Sequence, residues 1–335
     1  MSVDLSTKYL GLDLNNPLIV AASPLSEKLD FLKRLEDAGA AAVVFYSLFE
    51  EQIEHDDEEL AKAQEFGTES FAEALTFFPD QADYRSGPET YLEHIEKAKK
   101  AVSIPLIGSL NGASPGGWVR YAKLIQDAGA DALELNVYSI VANMDETGQE
   151  VEQRYADLVA AVKESITIPL AVKVGQNFSS PGNMAKRLVE AGADGLVLFN
   201  RFMQPDIDLD RLEVRPRLEL SNPFELLVSL RWIAILRDRI SASLALTGGI
   251  HSSDGLAKAL LAGADAGMVV SVVYRGGVGQ VTSILDGLRH WMESKGYESV
   301  DKLKGILSQA NCSDPTAFER GNYMKALTSF TGQPI

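Results

Sequence analysis

A short phrase recurs along this sequence and constrains its fold more than any other feature. It appears at Asp37–Ala40, Asp127–Asp131, Glu190–Asp194 and Ala262–Asp265, each time with alanine, glycine and alanine in succession. Each copy follows a helical pattern and precedes an apolar run, and its glycine suits the position after a helix end, where a positive φ is needed. The phrase therefore marks a repeated helix–strand unit.

Eight apolar runs alternate with the helical patterns. They are Pro17–Ser23, Ala41–Ser47, Pro105–Leu110, Ala132–Val137, Pro169–Val174, Gly195–Asn200, Ser243–Gly248 and Ala266–Ser271. Runs rich in Val, Ile, Leu and Ala are typical of parallel strands covered on both faces. An open doubly wound sheet usually has five or six strands, so eight favours an α/β fold of the (β/α)8 barrel type. We expect one domain over residues 1–335.

Serine-rich segments come before three of the helical patterns. They are Ala113–Gly116, Ser179–Gly182 and Ser252–Gly255, and two of them also carry a proline. Serine side chains cap the free amides of a helix, and proline fits the first turn. The sequence therefore predicts a serine-capped helix start at each segment.

Two connections are too long for plain turns. Glu50–Thr90 follows the second predicted strand, and Arg201–Pro223 follows the sixth. The alternating pieces Leu209–Val214 and Arg217–Leu220 within the latter predict a small hairpin. Both connections leave the carboxyl end of a strand, so both rise from the C-terminal face, where barrels carry their active sites. Long loops at that face commonly serve as lids or substrate walls.

Charge and cysteine usage exclude several classes of function. The formal net charge of −16 repels phosphate backbones and anionic lipid surfaces, so we expect neither nucleic acid nor a membrane as partner. Cys312 is the single cysteine, which excludes an intrachain disulfide and a CxxC metal site. The first residues lack the basic and then apolar plan of a signal peptide, so we expect a cytoplasmic protein.

The carboxyl ends of the predicted strands form a polar ring of amides and hydroxyls. The ring consists of Ala22, Ser23, Tyr46, Ser47, Ser109–Asn111, Asn136–Ser139, Lys173, Asn200, Arg201, Thr247–Gly249 and Ser271. It contains no carboxylate, which argues against glycosidase chemistry and against a hydrolytic metal site. We therefore predict a small-molecule site without a metal.

Thr247, Gly248 and Gly249 end the seventh predicted strand. Glycines there let backbone amides approach a phosphate, and the start of the next helix adds its dipole. The loops after the last two strands are the common phosphate site of barrels. The alternative is that the glycine pair only forms a tight turn. Of the four histidines, His251 alone lies near this segment.

Lys173 is a charged residue at the end of an apolar strand, where a side chain is rarely left unpaired. Three readings stay open: a cation over an electron-rich ring or a phosphate, a Schiff-base nucleophile, and a structural partner of Glu134. Asn136 and Asn200 each offer a donor and an acceptor, which suit the edge of a heterocycle or a substrate amide. Either asparagine can instead cap a loop.

In order and spacing these landmarks resemble the dihydroorotate dehydrogenase family, barrels that bind FMN. The resemblance runs from about Asn16 to Tyr297. The matching phrases are Asn16-Pro17 leading to Ala22-Ser23, Glu134–Asn136, Pro169–Lys173, Asn200, Thr247–Ile250, and Gly263-Ala264 leading to Ser271. The long connection after the second strand and the hairpin after the sixth also fit the family's plan.

The resemblance implies roles for individual residues. Lys173 would lie at the pyrimidine end of the flavin and favour its reduced, anionic form, while Gly248, Gly249 and Ser271 would hold the phosphate. The whole implied cofactor-binding set is Ala22, Ser23, Tyr46, Ser47, Asn111, Asn136, Lys173, Asn200, Thr247, Gly248, Gly249, Ser271 and Val272. Asn136, Asn200 and Arg201 would face the substrate, although Arg201 can equally pair with acidic surface groups.

Three departures concern the substrate half. The family has a lysine where this chain has Tyr46, and an asparagine-rich segment where it has Tyr84–Pro88. After the fourth strand the family has a Cys or Ser base followed by Pro-Asn, and here Ser139 is nearest to the base while Pro-Asn is missing. Ser139 is thus the first candidate base and Tyr138 the second. A serine needs a relay to accept a proton, and the sequence identifies none.

The resemblance thus implies an FMN-dependent oxidoreductase of the dihydroorotate dehydrogenase type, with a role in pyrimidine biosynthesis. It would oxidise a CH–CH bond of a dihydropyrimidine-like substrate and pass the electrons to a soluble acceptor. A homodimer follows from the resemblance alone. The alternatives are a flavin enzyme with another substrate, a flavin-free aldolase or synthase that uses Lys173 as an imine, and a non-catalytic flavoprotein.

Overall fold

The computed structural model describes residues 3–49, 88–112, 118–137, 139–201, 204–320, 323–324 and 327–328. Its strands are β1 Thr7–Tyr9, β2 Leu12–Leu14, β3 Leu18–Val20, β4 Ala42–Val44, β5 Leu48–Phe49, β6 Leu106–Gly112, β7 Ala132–Val137, β8 Leu170–Val174, β9 Gly195–Leu198, β10 Gln204–Asp208, β11 Glu213–Arg217, β12 Ser243–Thr247 and β13 Ala266–Val269.

Eight of these strands form a closed parallel barrel. Their order is β4-β3-β13-β12-β9-β8-β7-β6, and pairing of β4 with β6 closes the ring. The eight strands correspond to the eight predicted runs, so the predicted (β/α)8 fold is confirmed. β5 adds a short extension to the end of β6.

Helices surround the barrel on its outer side. They are α1 Leu29–Asp37, α2 Pro88–Ala101, α3 Trp118–Asp127, α4 Gly148–Ser165, α5 Pro181–Glu190, α6 Leu226–Leu236, α7 Ser253–Ala262, α8 Ser271–Gly276, α9 Gly279–Lys295 and α10 Val300–Leu303. Short 3₁₀ turns cover Pro24–Glu27, Pro223–Glu225 and Pro315–Phe318. Among the described helices, none is both long enough and apolar enough to cross a bilayer.

The glycine of the repeated phrase follows a helix end, as predicted. Gly39, Gly129, Gly192 and Gly263 all have a positive φ, between 97° and 118°. The predicted serine caps are confirmed only in part. Ser252 accepts a hydrogen bond from the backbone N–H of Gly255, whereas Ser180 precedes α5 without a capping bond from its side chain. The third predicted start falls on residues 113–116, outside the described ranges.

The aspartate that ends the phrase fixes the start of the preceding strand. Asp131 Oδ2 accepts a 2.7 Å hydrogen bond from the backbone N–H of Leu106, the first residue of β6, and also pairs with Lys99 Nζ. The same bond joins Asp194 to Leu170 in β8 and Asp265 to Leu244 in β12, at 2.8 Å each. In these three copies the repeat therefore couples a helix–strand unit to the strand before it, whereas the first copy has Ala41 in place of the aspartate.

The β1–β2 hairpin closes the amino-terminal end of the barrel. Tyr9, Leu10 and Leu14 pack against inward-facing side chains, many of which are small: Ala42, Ala132, Ala171, Ala245 and Ala266. The backbone N–H of Leu10 donates to Ser243 Oγ at the start of β12. With this end filled, the carboxyl end of the barrel is the side on which a ligand can enter.

The hairpin predicted after the sixth strand is confirmed, but its strands were placed wrongly. Its strands are β10 and β11, paired antiparallel from Gln204 opposite Arg217 to Asp208 opposite Glu213. Residues 209–212 form the turn, where Leu212 has a φ of 54°. Alternation of apolar and polar residues continues through this turn, so the sequence pattern did not mark the strand ends.

Several predicted strands were also too long at the carboxyl end. β4 ends at Val44, so Tyr46 and Ser47 lie beyond it, and β13 ends at Val269, after which Ser271 begins α8. Tyr46, Ser47 and Ser271 therefore lie outside the strands of the barrel. Most of the long connection after the second predicted strand, residues 50–87, lies outside the described residues, and α2 begins at Pro88.

We predict that Asp131→Ala lowers the free energy of unfolding by about 2 kcal/mol, because it removes a charged hydrogen bond to the start of β6. Urea unfolding provides the measurement. The matched control is Asp127→Ala, which breaks an exposed pair with Lys123 and should cost less than about 0.5 kcal/mol. Equal losses in the two variants would contradict the coupling role of the repeat.

Candidate functional site

Polar side chains gather at the carboxyl end of three neighbouring strands. Asn111, Asn136 and Lys173 are register partners on β6, β7 and β8. All three are buried. Because alternate residues of a strand share a face, Ser109 and Glu134 lie one step deeper on β6 and β7. The barrel interior therefore changes from small apolar residues near β1 and β2 to polar ones at its mouth.

A cavity of about 710 Å³, called here the strand-end cavity, opens at this end. The predicted cofactor-binding residues that line it are Ala22, Ser23, Lys173, Asn200, Thr247, Gly248, Gly249 and Ser271. Arg201 lines it as well, and residues 204–206 and 217–221 of the hairpin form one wall. Its volume is in the range of sites for small molecules and cofactors.

Other predicted residues lie away from the described wall. They are Tyr46, Ser47, Asn111, Asn136, Ser139 and Val272, while Tyr138 falls outside the described residues. Two predicted asparagines nevertheless carry unsatisfied polar atoms. Asn136 Oδ1 and Asn200 Nδ2 are buried and make no hydrogen bond within the described part of the chain. Buried polar atoms of this kind usually have a partner, so these two indicate a missing ligand or solvent group.

Glycine is required at the two positions after β12 for different structural reasons. Both have a positive φ, 84° for Gly248 and 83° for Gly249. A Cβ atom on Gly249 would lie 2.3 Å from the backbone nitrogen of Leu226, at the start of α6. A Cβ on Gly248 would meet no atom within 4 Å. The close approach of the α6 backbone explains why residue 249 is a glycine, whereas Gly248 borders open space on the cavity wall.

Ser271 links the hairpin to the glycine pair. Its Oγ accepts a 3.0 Å hydrogen bond from the backbone N–H of Ser221, and Ser221 Oγ lies 3.2 Å from His251 Nε2. Burial, followed by the positive charge of Arg275, lowers the pKa of His251. The imidazole is therefore favoured in its neutral form at neutral pH, and His251 supports Ser221 without lining the cavity.

Lys173 has a carboxylate partner, as one of the three sequence readings expected. Its Nζ lies 3.5 Å from Glu134 Oε1. Glu134 is 1% exposed, and its Oε2 makes no hydrogen bond to any described residue. Lys173 still reaches the strand-end cavity, so the pairing and a contact to a ligand are compatible.

Ser139 has a hydrogen-bonding partner that the sequence did not reveal. Its Oγ lies 3.1 Å from Tyr155 Oη, and its backbone N–H donates to the same oxygen at 2.9 Å. Tyr155 belongs to α4 and is buried with its ring edge against Phe178. The helical pattern that places Tyr155 on the inner face of α4 contained no sign of this contact, because the Ser139 loop has no regular period.

Aromatic residues surround the position where the resemblance expects a lysine. The Tyr46 ring packs edge-on against Tyr91, with 5.0 Å between centroids, and lies near Phe45 and His94. The backbone N–H of Tyr46 donates to Ser26 Oγ at 2.7 Å. Tyr46 is thus fixed by packing at the position where the resemblance expects a lysine.

The cations that line the described wall of the cavity are all paired. Besides Lys173, they are Arg201 and Arg217. Arg201 Nε contacts Glu225 at 2.8 Å and also donates to the carbonyl of Glu219. Arg217 contacts Asp206 and Glu219, at 2.7 Å each. A substrate carboxylate would therefore have to compete with carboxylates of the protein itself.

Comparison with known proteins identifies related chains. The family model described as dihydroorotate dehydrogenase matches residues 84–292, well over half of the chain. The catalytic subunit of dihydroorotate dehydrogenase B (NAD(+)) from Methanothermobacter thermautotrophicus is 27% identical over 310 residues, which cover 90% of this chain and 98% of the relative. The NAD-dependent dihydropyrimidine dehydrogenase subunit PreA from Escherichia coli K12 is 25% identical over 329 residues, covering 91% and 77%.

We predict different costs for alanine at the two glycines. Gly249→Ala should lower the free energy of unfolding by about 3 kcal/mol, since it adds a steric clash to an unfavourable φ. Gly248→Ala should cost about 1 kcal/mol, from the φ alone. Urea unfolding of both variants tests this, with Gly148→Ala on α4 as the unstrained control. A loss at Gly248 as large as that at Gly249 would contradict the open space assigned to it.

Proposed function

The chain belongs to the dihydroorotate dehydrogenase family, and on that premise we propose that it is an FMN-dependent oxidoreductase acting on a CH–CH bond. One observation carries the proposal. A single cavity joins the glycine turn at Gly248 to Lys173 and to Ala22 and Ser23 across the barrel mouth. This combination of groups suits an elongated ligand whose anionic end lies at the glycine turn and whose planar end lies at Lys173.

The residues of the cavity fit FMN. Gly248 leaves room for the close approach of a phosphate to the backbone amides, and Ser271 adds a hydroxyl. Asn200 on the wall, and Asn136 beside Lys173 on the neighbouring strand, have buried polar atoms that make no hydrogen bond to a described residue, which suits the edge of a heterocycle. Ala22 and Ser23 are small enough to lie against a ring. In this proposal Gly248, Gly249 and Ser271 hold the phosphate, and Lys173 lies at the ring.

When bound, FMN supplies the capacity to accept a hydride. Lys173, which lines the cavity, would stabilise negative charge that develops on the ring. Ser139 would take the proton from the neighbouring substrate carbon while its own hydroxyl proton passes to Tyr155 Oη, 3.1 Å away, and the Tyr155 proton passes on to solvent, so that both hydroxyls end neutral. Tyr138 is the alternative base, and the contact with Tyr155 orients the Ser139 hydroxyl.

We predict that the purified protein binds one FMN per chain and is yellow. Gly248→Ala should weaken the binding of FMN at least tenfold, which corresponds to about 1.4 kcal/mol. The reason is that the added methyl group occupies the space through which the phosphate approaches the backbone amides. Quenching of FMN fluorescence gives both dissociation constants, and Gly148→Ala is the control that should leave the affinity unchanged.

A chain that stays colourless with added FMN would reject the proposal. In that case, borohydride trapping of a carbonyl substrate on Lys173 would identify the flavin-free aldolase or synthase alternative. A yellow chain that oxidises no dihydropyrimidine would leave a flavin enzyme with another substrate or a non-catalytic flavoprotein.

The paired cations of the cavity favour a second candidate within the same chemistry. Lys173, Arg201 and Arg217 each already contact a carboxylate of the protein, and Tyr46 stands where the resemblance expects a lysine. A dihydropyrimidine without a carboxylate group needs no additional cation. The relative named as a dihydropyrimidine dehydrogenase subunit is consistent with such a substrate.

We predict that 5,6-dihydrouracil bleaches the FMN-loaded protein faster than dihydroorotate does, by at least tenfold. The reason is that the carboxylate of dihydroorotate would have to compete for Arg201 and Arg217, which already contact the carboxylates of Glu225 and Glu219. Anaerobic stopped-flow absorbance measures both rates. Faster bleaching by dihydroorotate would contradict the second candidate and favour the first. The single domain, the homodimer and the cytoplasmic location stay predictions of the sequence.

A further inference from the structure

We propose that Glu134 is a positioning residue that holds Lys173 at the mouth of the barrel and neutralises its charge, an inference that rests on the proposed flavin function. Glu134 neither lines the strand-end cavity nor reaches the glycine turn, so it has no direct contact with a ligand there. Its effect on the reaction comes from holding Lys173 and from compensating its charge.

The strand register fixes the relative depth of the two side chains. Lys173 pairs with Asn136, and Glu134 pairs with Ala171, so Glu134 lies two residues closer to the amino end of β7. Both side chains face the barrel interior. Glu134 therefore contacts the Lys173 ammonium group from the amino-terminal side of the barrel, with 3.5 Å between Oε1 and Nζ. On its carboxyl-terminal side, Lys173 lines the strand-end cavity.

Lys173 is the compensating charge for Glu134 in the described part of the chain. Glu134 is 1% exposed, and its Oε2 has no hydrogen-bond partner among the described residues. A buried carboxylate in this state needs an opposite charge close by. The influence of its negative charge also reaches Tyr9, whose pKa is raised by burial first and then by Glu134 and Asp265.

The pairing changes what a bound ring experiences. A free ammonium group would add a full positive charge at the pyrimidine end of a bound ring, whereas the pair adds a dipole whose positive end points to the cavity. Removing Glu134 exposes the full cation, and removing Lys173 exposes the anion instead. The two single substitutions must therefore shift the electron affinity of a bound flavin in opposite directions.

The experiment uses Glu134→Gln, Lys173→Met and the double variant, with two measurements. Sulfite titration of the FMN-loaded protein reports the electrostatic environment of the ring, since sulfite binding places negative charge on it. We expect Glu134→Gln to bind sulfite at least tenfold more tightly, and Lys173→Met at least tenfold more weakly. The conservative variant Glu134→Asp keeps the negative charge, so its affinity for sulfite should be within threefold of that of the wild type.

A matched control separates positioning from stability. Asp265 is also buried and paired, with Arg237 and Lys304, but it lies at the amino-terminal end of the barrel. Asp265→Asn should lower the melting temperature without changing sulfite affinity. Shifts in the same direction for Glu134→Gln and Lys173→Met, or no shift for Glu134→Gln, would overturn the inference.

Thermal unfolding of the cofactor-free chain tests the pair without any flavin. Each single variant leaves a buried charge uncompensated and should lower the melting temperature by several degrees, and the double variant should recover at least half of the summed loss. Additive losses would overturn the inference. A chain that binds no FMN but shows this recovery would reject the proposed function and keep the pairing of Glu134 with Lys173.

Discussion

Closure of the barrel by the pairing of β4 with β6 is the constraint on which the site depends. Closure brings the carboxyl ends of all eight strands to one mouth, so residues far apart in sequence become register neighbours. Asn111, Asn136 and Lys173 lie side by side only because β6, β7 and β8 are adjacent and in register. The strand starts are held in turn by the aspartates of the repeat, which bond to the strand before them.

The mouth divides into two halves with different chemistry. The half at Gly248 and Ser271 consists of backbone and hydroxyl groups beside open space. These groups suit a phosphate that is bound through hydrogen bonds to backbone amides and a hydroxyl. The half at Arg201 and Arg217 contains cations that are already neutralised by carboxylates. A chain with net charge −16 supplies many such carboxylates, so its cations are rarely left available for a substrate.

The sequence predicted what depends on local periodicity. Glycines at helix ends, buried strands and their number could be predicted because each leaves a pattern within a few residues, and Lys173 was conspicuous as a charge in an apolar run. The contact between Ser139 and Tyr155 could not be predicted, because it joins an irregular loop to a helix. The hairpin strands were misplaced because alternation runs through the turn at Leu212. The pairing of Arg201 with Glu225 depends on how the hairpin returns to α6, which no local pattern encodes.

The strand-end cavity is the proposed site of FMN, and a crystal structure of the chain grown with FMN would show where the flavin binds. We expect the phosphate within hydrogen-bonding distance of the backbone amides of Gly248 and Gly249 and of Ser271, with the pyrimidine end of the ring beside Lys173. A flavin bound elsewhere on the chain, or one turned so that its ring lies at Gly248, would rule this site out.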